Sequence, residues 1–239
     1  MFLHKLQHKL QTLQKLRSLL HNVDVFVWDL DGTLYFNMEL LDHLRKQWQT
    51  YYQQFPIAQS QLFDQLEKTG KDWFEIIQLG SPYTTKELIL EIESMIDKTT
   101  FITHSKALAH FFGKKKFRHI LFSNATHDQA IRVLKKLGIE APEQTFECIL
   151  ALEELPDAKP HPSAYTVLTQ QLATTPPQRV VYVGDSVRSD IQPAQQLGFK
   201  TIHICRSVTD TQTQADLSFT NEAELFALLN HLHLLSFLR

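Results

Sequence analysis

The sequence predicts a parallel, doubly wound α/β domain with an all-helical insertion, and three observations carry that prediction. From residue 113 onward, apolar runs of strand length alternate with helical patterns, as repeated strand–helix units require. A further strand-like run, Val25-Phe26-Val27-Trp28, stands near the N-terminus and ends abruptly in Asp29-Leu30-Asp31-Gly32-Thr33. Between the two, residues 37–112 show helical periodicity with no strand pattern.

The chain has 239 residues, enough to bury a substantial core. Apolar residues make up 43% and the formal charge is −2, which argues against disorder and against a surface for nucleic acid polymers. Cys148 and Cys205 lie far apart in strand-like runs, so neither a zinc site nor a disulfide framework is expected, and a reducing, cytoplasmic setting fits. No apolar stretch reaches transmembrane length.

Residues 1–22 form an amphipathic helix in this reading, with Leu3, Leu6, Leu10, Leu13, Leu16 and Leu20 on one stripe and Lys5, Lys9, Lys15 and Arg17 elsewhere. Such a stripe is an ordinary seam for packing on its own domain or on a second copy of the chain. The catalytic core is expected over 23–36 and 113–239, with the helical segment 37–112 as a separate cap. Within that segment, Leu40, Leu41, Leu44, Trp48, Tyr51 and Tyr52 mark a helix ending near Pro56, and Leu62, Phe63 and Leu66 a second one stopped at Gly70. Trp73, Phe74, Ile76 and Ile77 mark a third. Thr84-Thr85-Lys86-Glu87 then reads as a capped start for Leu88, Ile89, Ile92 and Ile96.

A strand returns at His119–Phe122, followed by a helix through Ala130, Val133 and Leu137 that Gly138 stops. Phe146–Leu150 is a third strand, and Pro162 opens the next helix. Arg179–Val183 is a buried strand ending in Gly184-Asp185-Ser186, Pro193–Leu197 is helical, and Thr201–Cys205 is expected to close the sheet. The tail, Ala223–Leu238, is a leucine- and phenylalanine-rich helix that needs a partner surface, either the seam of residues 1–22 or another subunit, which leaves a homodimer through the terminal helices open.

In doubly wound sheets ligands bind beyond the carboxyl ends of the strands, where Asp29, Asp31, Ser123 and Asp185 fall. Asp29 and Asp31 leave the strand end pointing roughly the same way, because strand side chains alternate. An Asp-x-Asp-Gly turn could be purely structural, but the ordered recurrence of polar residues at successive strand ends argues for chemistry. Asp29 is the candidate nucleophile, since aspartate forms acyl phosphates in phosphoryl transfer. Attack on a phosphate dianion needs charge neutralisation, which Lys159 and a divalent cation would supply. Magnesium suits a site offering Asp29 and Asp185. Thr33 and Ser123 offer hydroxyls to the phosphate, along with backbone N–H groups near Leu30 and Asn124. Asp31 remains to protonate the leaving alcohol and then deprotonate water.

With these motifs in view, the chain resembles the haloacid dehalogenase-like hydrolase superfamily. The resemblance rests on Asp29-Leu30-Asp31-Gly32-Thr33, Ser123-Asn124, Lys159-Pro160 and Gly184-Asp185-Ser186-Val187-Arg188-Ser189-Asp190, and it spans residues 23–205. It implies a Rossmann-like core, a type-one helical cap, and Mg²⁺ held by Asp29, the backbone carbonyl of Asp31, and Asp185, with Asp190 in support. It also implies a phosphatase or a sugar phosphomutase rather than a dehalogenase, because an acid stands at position 31 to serve an oxygen leaving group. The first two motifs are similar to those of the pyrimidine 5′-nucleotidase branch, although the Gly184-Asp185-Ser186 spelling departs from that branch's acidic pair. The expected substrate is a small phosphorylated metabolite, with a nucleoside 5′-monophosphate as one candidate. A non-catalytic binding protein on the same scaffold is the remaining alternative.

Overall fold

The computed structural model describes residues 2–59, 65, 68, 73–114, 116–206 and 214–236. Six strands form one parallel sheet: β1 (Val25–Trp28), β2 (Arg118–Phe122), β3 (Cys148–Leu150), β4 (Val180–Gly184), β5 (Lys200–Ile204) and β6 (Leu217–Phe219), in the order β3-β2-β1-β4-β5-β6. The order reverses direction at β1, which pairs with β2 on one side and β4 on the other. This is the switch point at which doubly wound sheets open a crevice. Trp28 lies opposite both Leu121 and Val183, so the three central strands end at nearly one level. The expectation that Thr201–Cys205 closes the sheet needs correction. β6 pairs with β5 through Leu217 and Phe219, and the three-residue length of this edge strand left little periodicity to read.

Ten described α-helices flank or extend the sheet: α1 (Phe2–Leu19), α2 (Met38–Tyr52), α3 (Trp73–Gln78), α4 (Thr85–Ser94), α5 (Lys106–Phe112), α6 (His127–Leu137), α7 (Pro142–Thr145), α8 (Pro162–Gln171), α9 (Gln192–Gln196) and α10 (Glu222–Ser236). Strand alternation divides the core in two. Phe26, Trp28, Leu121, Val183 and Ile202 pack with α1, α5, α6 and α10, whereas Val27, Ile120, Phe122 and Tyr182 pack with α8 and α9. Leu16 of α1 and Leu225, Phe226, Leu228 and Leu229 of α10 are buried in the first cluster, so both terminal helices spend apolar residues on their own domain. Lys200 Nζ donates to the carbonyls of Leu19 and His21 at 2.7 and 2.9 Å, a cation at the negative end of α1.

Local signals account for the helix ends. Thr84 and Glu87 form a capping box on α4, and Gly138 takes the left-handed conformation (φ 105°) that stops α6. Between β1 and β2 the described elements are all helical. Tyr52, Phe55, Ile77, Leu88 and Ile92 make a small core of their own, with Trp48 and Tyr51 packed against it. The second expected helix, around Leu62, lies outside the described residues. The last helix of the inserted stretch, α5, packs elsewhere: Leu108, Phe111 and Phe112 belong to the sheet's cluster. Asn37 joins the insertion's outgoing and returning ends. Its Oδ1 accepts from Leu40 N–H to cap α2, and its amide donates to the Phe101 carbonyl at 2.9 Å.

Under α5 and α10, Trp28 stacks with Phe26 and Phe226, and Phe112 and Phe146 lie beside His119. Trp28 Nε1 donates to His119 Nδ1 at 3.2 Å, and burial pushes the His119 imidazole down to about 4. The unfolded chain takes up this proton near pH 6.5, whereas the folded chain holds it off to about pH 4. The unfolded state therefore binds more protons across that window, and stability falls as pH drops through it. Asn in place of His119 keeps an acceptor for Trp28 and removes the titration. Denaturant unfolding between about pH 7.5 and 4.5 is expected to cost the wild type about 2 kcal/mol more than His119→Asn. Taking the difference cancels the acids at the strand ends, which are common to both proteins. Equal losses would contradict a buried neutral imidazole.

Candidate active site

Asp29 follows the last residue of β1, and its backbone N–H donates to Val183 O at 3.0 Å, which locks the strand end against β4. The chain then turns at Gly32, whose φ is 81°. A Cβ there would lie 2.0 Å from Asp185 Oδ2, so Gly32 serves both a left-handed turn and the close approach of the β4 carboxylate. Arg206, just past β5, donates to the Gly32 carbonyl at 2.6 and 3.0 Å and pairs with Glu222 at 2.7 Å, which fixes the turn from the other side.

Lys159 is the hub. Its buried ammonium lies 2.9 Å from Asp29 Oδ1 and 2.8 Å from Asp190 Oδ1, and it donates to Phe122 O at 3.0 Å and Tyr182 Oη at 3.2 Å. Burial alone would depress its affinity for the proton, but Asp190 and Asp29 outweigh burial and raise it. The Lys159 backbone is clamped by Asn124, whose Oδ1 accepts from Lys159 N–H at 2.8 Å while Nδ2 donates to Lys159 O at 2.9 Å. The Asn124 amide is thereby committed to positioning Lys159, and its backbone N–H is the group left for an anion. Thr33 Oγ1 donates to Asp29 Oδ2 at 2.8 Å. Ser123 is buried with its oxygen accepting from Ala125 N–H at 3.1 Å, which leaves its hydroxyl proton to donate.

Carboxylate oxygens of Asp29, Asp185 and Asp190 lie within 4.8 Å of one another. Burial, with further pressure from Asp190 and Asp31 and opposition from Lys159, pushes Asp29 up to about 6. Burial and the neighbouring Asp29 and Asp190 push Asp185 well above the usual carboxylate range. Asp190 is saturated by Lys159, the Tyr182 hydroxyl at 2.8 Å and Ser186 N–H at 3.0 Å. The Asp185 carboxylate receives no hydrogen bond among the described residues. Three carboxylates against one ammonium leave two negative charges, which one divalent cation would balance. An all-oxygen donor set under such mutual repulsion fits Mg²⁺.

Asp31 does not point with Asp29 as strand alternation predicts, because β1 ends at Trp28 and the chain is already turning towards Gly32. Its carboxylate stands outside the trio, accepting from the Tyr35 hydroxyl on Oδ1 and from Lys98 Nζ on Oδ2 at 2.8 Å. Asp31, Asp185, Lys159 and Asn124 line a cavity of about 1140 Å³ together with Leu40, Leu44, Trp48 and Ile89. Arg188, on the π-helical turn Val187–Ile191, forms an ion pair with Glu75 of α3 across this cavity. Of the eight residues singled out from sequence, Asp31, Asn124, Lys159 and Asp185 line the cavity, whereas Asp29, Thr33, Ser123 and Asp190 are buried beneath it, with Asp29 and Asp190 joined to it through Lys159. Sequence reasoning missed Lys98, Glu93, Tyr182, Arg188 and Arg206. Of these, Tyr182 stands in a strand read from sequence, on the opposite face from Val181 and Val183.

Residues 23–198 match the family model of the haloacid dehalogenase-like hydrolases. The chain belongs to that family. It is similar to pyrophosphatase PpaX of Bacillus pumilus, with 24% identity over 198 residues, covering 78% of this chain and 85% of that one. Among solved structures, CbbY from Rhodobacter sphaeroides in complex with phosphate superposes with TM-score 0.60 at 17% identity, covering 87% of this chain and 99% of the other. YfnB from Bacillus subtilis bound to magnesium gives TM-score 0.55 at 14% identity, covering 87% and 99%. These two likenesses show the fold. As a haloacid dehalogenase-like hydrolase, the chain carries its acids at the strand ends its motifs define.

Gly32→Ala tests the packing of the first and fourth loops. The substitution combines a strained φ, costing about 1–3 kcal/mol, with a clash against Asp185. Thermal unfolding should show a lowered midpoint, and calorimetry should show Mg²⁺ affinity reduced at least about tenfold. Unchanged Mg²⁺ affinity would mean that Asp185 does not need this approach.

Proposed function

We propose that this hydrolase is a Mg²⁺-dependent phosphomonoester phosphatase that works through an aspartyl phosphate on Asp29. The observation that carries the reading is the Asp29 carboxylate, gripped by Lys159 and Thr33 at the switch point, with Asp31 a residue away facing the cavity. Asp29, Asp185 and the Asp31 carbonyl would hold Mg²⁺, with Asp190 in support, and the ion would supply positive charge to the phosphate oxygens. The magnesium carried by YfnB, the phosphate carried by CbbY and the phosphoanhydride chemistry named for PpaX support the same direction.

In the first half-reaction an Asp29 oxygen bonds to phosphorus as the ester P–O bond breaks. The leaving alcohol oxygen keeps that electron pair and takes a proton from Asp31. Lys159 and Thr33 orient the nucleophile, with Thr33 committed to Asp29 rather than to the phosphate as expected from sequence, while Ser123 and the Asn124 N–H hold the phosphate. In the second half, water bonds to phosphorus, Asp31 takes its proton, and the acyl phosphate bond breaks to restore Asp29. The balance is ester plus water giving alcohol plus phosphate.

Leu40, Leu41, Leu44, Trp48, Leu79 and Ile89 give the cavity an apolar portion beside charged and polar residues such as Arg45, Glu75, Gln78 and Arg188. In this reading the apolar portion takes a flat alcohol group such as a nucleoside, and the polar residues bond its hydroxyls. Tyr52 is buried in the small helical core, whereas Trp48 lines the cavity and is one candidate to stack on a base. Phosphate release from a panel of phosphomonoesters should require Mg²⁺, prefer nucleoside 5′-monophosphates to hexose phosphates, and vanish in Asp29→Asn by at least about 10³-fold. Phosphorus NMR showing an isomerised sugar phosphate without free phosphate would point to the mutase instead.

A further inference from the structure

Among the features left over from the site is a cation that the proposed chemistry does not use. Lys98 opens the 3-10 turn Lys98–Phe101 and is almost wholly buried. Its ammonium lies 2.8 Å from Asp31 Oδ2 and 2.8 Å from Glu93 Oε2, and Glu93 is itself buried. Burial alone would depress this ammonium, yet Asp31 and Glu93 together raise its affinity for the proton. A buried cation shared by two acids costs desolvation and is weak evidence for stability on its own. Its placement therefore calls for a role at Asp31.

The segment that carries Lys98 is fixed to the sheet domain. The Gln129 amide on α6 donates to the carbonyls of Glu93 and Ile96, and Ile96 and Ile102 are buried in the sheet's main cluster. Asn37 bonds Phe101 O at the root of the insertion. Lys98 thus stands where the helical segment rejoins the domain, on backbone held from two sides. From there it takes one oxygen of Asp31 while Tyr35 takes the other, so the carboxylate plane is set by two donors. Asp31 still lines the cavity in this orientation.

We infer that Lys98, backed by Glu93, is a positioning residue for proton transfer: it aims the Asp31 carboxylate at the leaving-group oxygen. The inference rests on the reading of Asp31 as the proton-transfer group. Lys98 and Glu93 also line the cavity, but the Lys98 ammonium is held between the two acids, and the role inferred for it passes through Asp31.

The readout is leaving-group dependence, which a merely structural role would not alter. The value of kcat/KM reports the steps through formation of the aspartyl phosphate. An alkyl phosphate needs a proton on its departing oxygen, whereas p-nitrophenyl phosphate releases a stable phenolate without one. Wild type is compared with Asp31→Asn, Lys98→Met and Lys98→Met/Glu93→Gln. The double variant removes the orphaned Glu93 charge, so folding is preserved should the single variant fail. Asp31→Asn should lose roughly 10²-fold on the alkyl ester, and the Lys98 variants at least about tenfold, with under about threefold on the nitrophenyl ester in every case. Equal losses on both esters in the Lys98 variants, or no loss in a folded one, would overturn the role of Lys98. If instead Asp31→Asn itself showed no selectivity between esters, the reading of Asp31 would fall, and the two failures are told apart.

Discussion

The Lys159 ammonium, buried between Asp29 and Asp190, is the interaction on which the carboxyl edge of this sheet depends. Losing one partner of a buried ion pair costs on the order of 3–5 kcal/mol, because the other charge is left uncompensated. Here a single cation compensates acids from two different loops, and the carbonyl of Phe122 and the hydroxyl of Tyr182 complete its shell. Asn124 fixes the Lys159 backbone, so the end of β2 sets where the ammonium stands. The third loop therefore reaches the first and fourth through one side chain.

Geometry upstream of that contact makes it possible. The parallel pairing of β1 with both β2 and β4 brings three loops to one level, and glycine at position 32 lets the first and fourth loops touch. Asp29 and Asp31 then diverge in surroundings. Asp29 faces Lys159 and the other buried acids, while Asp31 faces the helical segment, Lys98 and the cavity. Two carboxylates separated by one residue thus occupy different electrostatic surroundings, as a nucleophile and a proton-transfer group require.

Much of this was legible in the residues. The central strands carried continuous β-branched and aromatic runs, and helix stops such as Gly138 and the Thr84–Glu87 box are local signals that tertiary packing did not override. The candidate acids and Lys159 stand at element boundaries, where sequence pattern is clearest. What stayed hidden depends on contacts across the chain. Lys98 follows Asp97 in a polar stretch that reads as solvated surface, and only the pairing with Asp31 and Glu93 shows it buried. Arg206 and the Arg188–Glu75 pair are ordinary charges until distant segments meet. β6 was too short to show a period, and α5 lies within a helical stretch whose periodicity does not reveal that it packs on the sheet.

The central claim is a covalent phosphoryl group on Asp29, and direct trapping of that species tests it best. Enzyme turning over a phosphomonoester with Mg²⁺ would be acid-quenched and treated with labelled borohydride, which reduces an acyl phosphate but not a free carboxylate. Peptide mass spectrometry should then place the label on residue 29. Label at Asp31, Asp185 or Asp190, or no label under conditions of rapid phosphate release, would contradict the account.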